Sequence, residues 1–317
     1  MMNKLTYPFK SKSSLSDDLK IERKKTANSL AVRWAHASNS QQLLDEALKL
    51  NDFNMIEPDI VHRNILKDGS VLPKVAHPRP ISTDLSLGSF LVQVKLFNLD
   101  NPDKIKGIKF DFKSIEAFEV ALDRLKRTIP EMNHPIGLNA DIAESPVNNS
   151  RIPPIDARRA QFKQAVLSLG WTAQWSEDPI EGSYTPENIV TMLTLMKENN
   201  IVDSGQCITF PLRAGIAANS KAVLHDLIRS VEATNDCTIT VWSAPFDYIG
   251  LKKLRQLILF WGSTKIYLDV PADQTNLSVL RLSANLWRSF TIRSPLYFSV
   301  GSLVMFLIRL LLKKSDI

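Results

Sequence analysis

Short apolar runs alternate with amphipathic helical segments along most of the chain, and this alternation limits the fold more than any other feature. The runs are rich in Val, Ile and Leu, which is typical of parallel strands that are buried on both faces. We count eight strands, each followed by a helix or helical segment, at residues 29–36, 55–60, 107–113, 136–142, 166–172, 207–213, 237–243 and 265–270. Eight such units are what an α/β protein of the (β/α)8 TIM-barrel type needs. An open doubly wound sheet is the other candidate, but no Gly-rich phosphate loop follows the first strand.

One segment departs from the alternation. After the second strand, residues 60–77 (IVHRNILKDGSVLPKVAH) predict a two-stranded ribbon that closes at Asp68-Gly69, a strong signal for a hairpin turn. The ribbon brings the chain back to His77. We therefore predict a TIM barrel with a β-hairpin after strand 2.

Composition limits the class of partner. The chain has 317 residues, of which 44% are hydrophobic and 23% charged, and these values fit one large globular domain. The net charge of +6 lies partly in the termini, and no stripe of Arg and Lys interleaved with aromatic residues is present, so we expect no nucleic-acid partner. The two cysteines, Cys207 and Cys237, have no metal-binding spacing and predict free thiols.

The two ends differ from the middle of the chain. Residues 1–27 are polar and predict a flexible segment, residues 28–290 the barrel, and residues 291–317 a hydrophobic tail. The N-terminus lacks the apolar core of a signal peptide, which predicts a cytoplasmic chain or one held at a membrane by its tail. Residues 296–312 are the most apolar stretch, and a membrane anchor, an interfacial helix and a helix docked on the barrel all remain open.

Polar residues stand at the end of every predicted strand, where the active site of a barrel lies. Glu57 and Asp59 are two residues apart, so on a strand they point to the same face, and Asp111 ends the third strand. Adjacent inward carboxylates need a cation or a shared proton, and oxygen ligands favour Mg²⁺ or Ca²⁺. We predict that these three acids bind one divalent cation, although the first two could also be solvated acids at a strand end.

Two histidines and a lysine accompany these acids. His36 ends the first strand and His77 follows the ribbon, so that one could act as nucleophile or base and the other as general acid. Lys113 could neutralise phosphate oxygens in the transition state, or it could merely pair with Asp111. This equipment suits the cleavage of a phosphodiester.

The remaining strand ends supply the residues that we expect to contact a substrate. They are Asn139, Asp141, Trp171, Arg213, Trp242 and Asp269. Arg213 and Asp269 could instead form a structural ion pair.

Several motifs resemble known families. The E-x-D, K-D-G, ribbon and His are similar to the superfamily of glycerophosphodiester phosphodiesterases and phospholipase-D-like spider toxins, and Asp111-Phe112-Lys113 resembles the D-x-K of the toxin branch. More closely, the whole chain resembles the menorin family. The matching segments, in order, are WAHASNS (34–40), IEPDI (56–60), VAHP (75–78), GIKFDFKS (107–114), LNADI (138–142), LSLGWT (167–172), TFPLR (209–213) and TVWSA (240–244).

The resemblance implies a barrel of the phospholipase-C-like phosphodiesterase type. In it, His36 and His77 match the histidine pair, and the acids at 57, 59 and 111 match the metal ligands. Pro58 departs from the small residue that menorins usually carry, and Pro78 stands where the phosphodiesterases carry an acid. Some menorins look like adhesion or signalling ligands.

Two functions therefore remain open. The first is a metal-dependent hydrolase or lyase that acts on a phosphodiester, such as a lysophospholipid or a glycerophosphodiester. The second is a catalytically silent binding protein on the same barrel, with a protein partner.

Overall fold

A curved sheet of parallel strands forms the frame of the protein. The structure is a computed structural model that describes residues 29–65, 71–75, 84–144, 162, 164–172, 182–243, 247, 249–262 and 264–270. All of these residues belong to one unit, Met1–Gln274, and the other unit, Thr275–Ile317, lies outside them. The predicted boundaries at residues 27 and 290 stay predictions.

The elements alternate along the chain as predicted. The strands are β1 Trp34–Ala35, β2 Met55–Ile56, β3 Asp59–Ile65, β4 Val71–Val75, β5 Gly107–Phe112, β6 Ile136–Ala143, β7 Val166–Trp171, β8 Ile208–Arg213, β9 Cys237–Trp242 and β10 Ile266–Asp269. The helices are α1 Gln41–Lys49, α2 Leu87–Asp100, α3 Ile115–Thr128, α4 Pro186–Glu198, α5 Ala214–Ala218, α6 Lys221–Glu232 and α7 Leu251–Trp261.

Eight of the strands form a nearly closed, all-parallel sheet in the order β1-β2-β5-β6-β7-β8-β9-β10. The first and last strands of this order lie close together. The Ser29 hydroxyl, just before β1, donates to the Ile266 carbonyl of β10 at 2.5 Å. The Trp34 and Tyr267 rings meet edge to face, with their centroids 6.4 Å apart. The predicted α/β architecture is confirmed at this level, as a barrel-shaped sheet consistent with a TIM-like barrel. The phospholipase-C-like type stays a prediction.

The second predicted strand is divided in two by Pro58. Glu57 N–H donates to the carbonyl of Ala35 on β1 at 2.9 Å, whereas the Pro58 carbonyl accepts from Asp111 N–H on β5 at 3.0 Å. Proline has no N–H to donate, so it interrupts the ladder without turning the chain out of the sheet. The chain thus passes from β2 to β3 within the wall of the barrel.

Strand β3 also pairs antiparallel with β4, with Ile60 opposite Val75. Residues 66–70 lie outside the described residues, so the predicted turn at Asp68-Gly69 stays a prediction.

Hydroxyl side chains cap the starts of four helices, α1 to α4. Ser40, Ser86 and Ser114 each accept from a backbone N–H three residues on, and Thr185 forms a capping box with Asn188. The cap at Ser86 sets the start of α2 at Leu87. The short helix α5 follows β8 directly and was not predicted.

The two faces of β5 point to different environments. One faces the apolar layer between the sheet and the helices, and the other faces the inside of the barrel. Phe110 packs against Phe90 of α2 and Phe112 against Phe118 of α3, with ring centroids 6.4 and 5.1 Å apart. Because side chains alternate along a strand, Lys109 and Asp111 point the other way, into the barrel.

Among the described residues, no helix is long and apolar enough to span a membrane. The predicted tail at 296–312 lies outside these residues. Cys207 and Cys237 are not joined in a disulfide, as predicted.

Candidate functional site

Buried acids lie at the carboxyl ends of the strands, and two lysines pair with them. Glu57 and Asp59 are 2% and 3% exposed. Lys109 Nζ is 3.2 Å from Glu57 Oε2. Lys113 Nζ lies 2.9 Å from Asp59 Oδ1 and 2.5 Å from Asp111 Oδ2, so it bridges these two carboxylates. We call Glu57, Asp59, Asp111, Lys109 and Lys113 the charged cluster.

The loop after β1 fixes one of these acids from the side. Asn39 Nδ2 donates to Asp59 Oδ2 at 2.7 Å, and Asp59 N–H donates to Asn39 Oδ1 at 2.9 Å. The turn that presents Asn39 passes through Ala37, whose φ of 51° is left-handed, a conformation that costs energy for a residue with a Cβ. The sequence analysis missed Asn39, although it lies within the WAHASNS segment.

His36 closes the cluster on the side where the first and last strands meet. Its Nδ1 lies 3.5 Å from Glu57 Oε2 and 3.3 Å from Asp269 Oδ2. The negative charge of Glu57 raises the pKa of His36 to about 11, burial opposes this shift, and Asp269 adds to it. His36 is therefore an imidazolium at neutral pH, and its side chain is 56% exposed.

The acids and lysines shift one another's protonation. Burial would raise the pKa of Glu57, but Lys109 and His36 outweigh burial and hold this pKa below its usual range. For Asp59, burial and the charge of Asp111 raise the pKa against the opposing effect of Lys113. The pKa values of Lys109 and Lys113 are raised because their carboxylate partners outweigh burial.

Lys109 is a site residue that sequence reasoning missed. It is 5% exposed, and its Nζ stands 5.4 Å from the centroid of the Trp34 ring. The signal was present, because the alternation that places Asp111 and Lys113 on the inner face also places Lys109 there.

Strands β6 and β7 extend the polar network. Asn139 Nδ2 donates to Asp111 Oδ1 at 2.8 Å, and the Ser168 hydroxyl donates to Asn139 Oδ1 at 2.5 Å. The second oxygen of Asp111 is thereby held in place. Asn139 thus supports a predicted metal ligand.

Asp141 stands further along β6, opposite Gly170 of β7. A Cβ at Gly170 would overlap Asp141 Oδ1, so the missing side chain makes room for the acid. Burial and the charge of Asp111 raise the pKa of Asp141 to about 7, against the opposing effect of Lys113 and Lys109.

The predicted residues of the other strands form a separate group. Arg213 makes a two-point ion pair with Asp247, with Nε 2.8 Å from Oδ2, and its guanidinium lies 5.5 Å from the centroid of the Trp242 ring. Arg213 therefore pairs with Asp247 and not with Asp269.

Trp171 is 5% exposed and packs on Tyr184, with 4.8 Å between ring centroids. Its indole N–H is buried without a hydrogen-bond partner in the part of the chain that is described. Sequence reasoning missed Asp247 and Tyr184, because both lie in loops where periodicity gives no signal.

The predicted site is thus brought together in part. Contacts join His36, Glu57 and Asp269 in one group, and Asp59, Asp111, Lys113 and Asn139 in a second. The charge of Lys113 also lowers the pKa of Glu57. His77 lies outside the described residues, and its role stays a prediction.

A divalent cation such as Mg²⁺ or Ca²⁺ needs several oxygen ligands that converge on one point. Asp59 and Asp111 each direct an oxygen at the same ammonium, that of Lys113. In the described part of the chain, the acids and histidine whose ligand atoms all lie within 4.8 Å of one another are His36, Glu57 and Asp269. This group shares only Glu57 with the predicted ligand set of Glu57, Asp59 and Asp111, which stays a prediction. Carboxylate oxygens are ligands that suit a hard divalent cation.

Comparisons with known proteins identify relatives. The family model of the menorin N-terminal domain matches residues 28–275. Human protein FAM151B is 28% identical over 253 residues, which cover 77% of this chain and 84% of the human protein. No solved structure matches the chain.

Proposed function

The chain belongs to the menorin N-terminal domain family, and from that premise we propose that it cleaves a phosphodiester with the help of a divalent cation. The observation that carries the proposal is the charged cluster, in which three acids and two lysines meet beside His36 at the carboxyl ends of the strands. A site that combines acids for a cation with bases for a phosphate fits phosphoryl chemistry better than other reactions.

Glu57, Asp59 and Asp111 would hold Mg²⁺ or Ca²⁺. When bound, such a cation polarises a phosphoryl oxygen and orients the phosphodiester. Lys113 lies against two of the three acids and is 29% exposed at its side chain, so its ammonium can also contact a phosphate oxygen.

His36 would act as the general acid. Two carboxylates hold its ring in one orientation and keep it protonated, while its exposure leaves it open to a leaving-group oxygen. His77 would then be the base or nucleophile, as the resemblance to phospholipase-C-like phosphodiesterases implies. Lysophospholipids and glycerophosphodiesters are the substrates that this resemblance favours, with Asp141, Trp171, Arg213, Trp242 and Asp269 as the other contacts, and residues 296–312 as a possible contact with a membrane.

One observation favours a binding protein instead. The acids of the charged cluster each contact a lysine of the chain itself, and Asp247 pairs with Arg213. An acid that is neutralised within the chain has less need of a cation. On this second hypothesis the barrel presents its surface to a protein partner and performs no chemistry.

The test compares Glu57→Gln with Glu131→Gln, which is a matched change at an exposed glutamate. Both variants and the wild type are assayed with Mg²⁺ or Ca²⁺ against lysophosphatidylcholine, glycerophosphocholine and bis-p-nitrophenyl phosphate. We expect wild-type turnover on at least one of these diesters and a loss of about 100-fold or more in Glu57→Gln alone, since the loss of a cation ligand removes several kcal/mol of transition-state stabilisation. No turnover by a folded wild type, with unchanged binding of a partner by Glu57→Gln, would favour the binding protein.

A further inference from the structure

Lys109 is a charged side chain in the barrel interior that the proposed chemistry does not use. It is 5% exposed, and it contacts Glu57 Oε2 at 3.2 Å and the face of Trp34. Its register partner on β6 is Gly137, where a Cβ would come within 3.3 Å of Lys109 Cγ. The neighbouring strand thus leaves space for the stem of this lysine.

Stability alone gives weak grounds for such a pair. Burying two opposite charges costs about as much as their attraction returns, so a hydrophobic pair of the same volume is often as stable or more stable. The identity of the partner gives a better reason, since Glu57 is one of the three acids that would hold the cation.

The charges of the cluster can be balanced. Three carboxylates face two ammonium groups, so the cluster carries one net negative charge. A divalent cation makes the total positive by one charge. Without Lys109 the acids would attract the cation more strongly, and the loaded site would be neutral and would attract an anion less.

We infer that Lys109 is a positioning residue: by pairing with Glu57 from inside the barrel, it weakens cation binding and strengthens binding of the phosphate group that follows. The inference rests on the proposed function, because it takes Glu57, Asp59 and Asp111 as the ligands of the cation. The ligand that benefits is a singly or doubly charged phosphate, the class to which a phosphodiester belongs.

The experiment is a pair of calorimetric titrations at pH 8 on the full chain. Mg²⁺ (and Ca²⁺ in parallel) is titrated into the wild type and Lys109→Met, and inorganic phosphate is then titrated into each protein saturated with the cation. In Lys109→Met we expect the cation to bind about tenfold more tightly and phosphate about tenfold more weakly, the scale set by one unit charge at close range. Changes of opposite sign in the two affinities identify the loss of the charge as the cause, because a damaged fold would weaken the binding of both ligands.

Two controls isolate the charge. Lys109→Arg keeps it and should leave both affinities within about threefold of the wild type. Lys106→Met removes another buried lysine, which precedes β5 and donates to the carbonyls of Leu50 and Phe53 at 2.7 and 2.6 Å. Lys106→Met should lower thermal stability while changing neither affinity.

The failures are distinguishable. A wild type that binds neither cation ends the proposed function, and the inference with it, in the first titration. A wild type that binds the cation, with Lys109→Met affinities that are unchanged or shift in the same direction, overturns the inference alone. If Lys109→Met does not fold, Lys109→Gln, which keeps a hydrogen-bond donor near Glu57, replaces it with the same expected and overturning results.

Discussion

Two halves of the barrel mouth handle charge in different ways. Around β1 to β6 and β10, acids alternate with bases in a network of two contact groups, one of Asp269, His36, Glu57 and Lys109 and one of Asp59, Lys113 and Asp111. Around β7 to β9, the described residues include the ion pair of Arg213 with Asp247, the Trp242 ring next to that arginine, and the packed rings of Trp171 and Tyr184. On the proposed function, the first half would bind the cation and the phosphate, and the second would contact a flat or apolar group of the substrate.

The two halves should therefore respond differently to the substitution of a residue. In the network, each charge has partners that become uncompensated when it is removed. The loss of stability therefore involves several residues. In the aromatic half, contacts are pairwise, so the effect of a substitution should stay with the residue and its partner.

The largest effect should follow Lys113→Met, which leaves Asp59 and Asp111 facing each other without the ammonium group that they share. Breaking a buried pair by removing one partner costs about 3–5 kcal/mol, and we expect the free energy of unfolding in urea to fall by that order when no divalent cation is added. Lys95→Met, which removes the exposed partner of Glu131, should cost less than about 1 kcal/mol. Equal losses in the two variants would mean that the network is no more coupled than the surface.

A smaller, pH-dependent effect should follow Asp141→Asn. The pKa of Asp141 is raised from 3.8 to about 7, so the folded chain holds this proton more tightly than the unfolded chain. Its contribution to stability is therefore complete below about pH 3.8 and is lost as the pH rises through about 7. Asp141→Asn, which stays neutral, should gain roughly 1–2 kcal/mol over the wild type at pH 8 and almost nothing at pH 4.

The control for this profile is Asp123→Asn, at an exposed acid of α3. Its stability should stay within about 0.5 kcal/mol of the wild type at both pH values, as for other surface substitutions. A flat difference for Asp141→Asn as well would show that the acid is not held in the raised-pKa state.

The smallest effect concerns the stacking of Arg213 on Trp242. A double-mutant cycle of Trp242→Ala and Arg213→Met should give a coupling free energy of about 0.5–1 kcal/mol, the value of a cation–π contact at a partly exposed ring. A coupling as large as that of Lys113 with Asp111, measured in the same way, would remove the distinction between the halves.

Much of the frame was predictable from periodicity. The apolar runs that became β5, β6, β8 and β9 were bounded within a residue or two, because both faces of these strands are buried and their patterns are continuous. The first strand was not: the predicted residues 29–36 are a 3₁₀ turn at Ser29–Ala31 followed by the two-residue strand β1. There the chain joins the barrel at its seam, where tertiary contacts outweigh local pattern.

The site was predictable where it followed strand alternation and not elsewhere. Glu57, Asp59 and Asp111 could be placed together because a two-residue period on adjacent strands is a local rule. The partners of Arg213 and Asp269 could not be assigned, because Asp247 and His36 approach them from loops and from the opposite end of the sheet. Lys109 was overlooked because it lies two residues before Asp111 on β5, and so below the strand end, inside the barrel.

The proline between Glu57 and Asp59 has a consequence for ligand binding. Its ring fixes one backbone torsion, and the hydrogen bonds on either side tie the flanking residues to different neighbours, β1 before it and β5 after it. The proline ring therefore restricts the separation of the two carboxylates before any ligand binds. Since less conformational entropy remains to be lost at this point, a cation or phosphate should meet a wall that is already rigid.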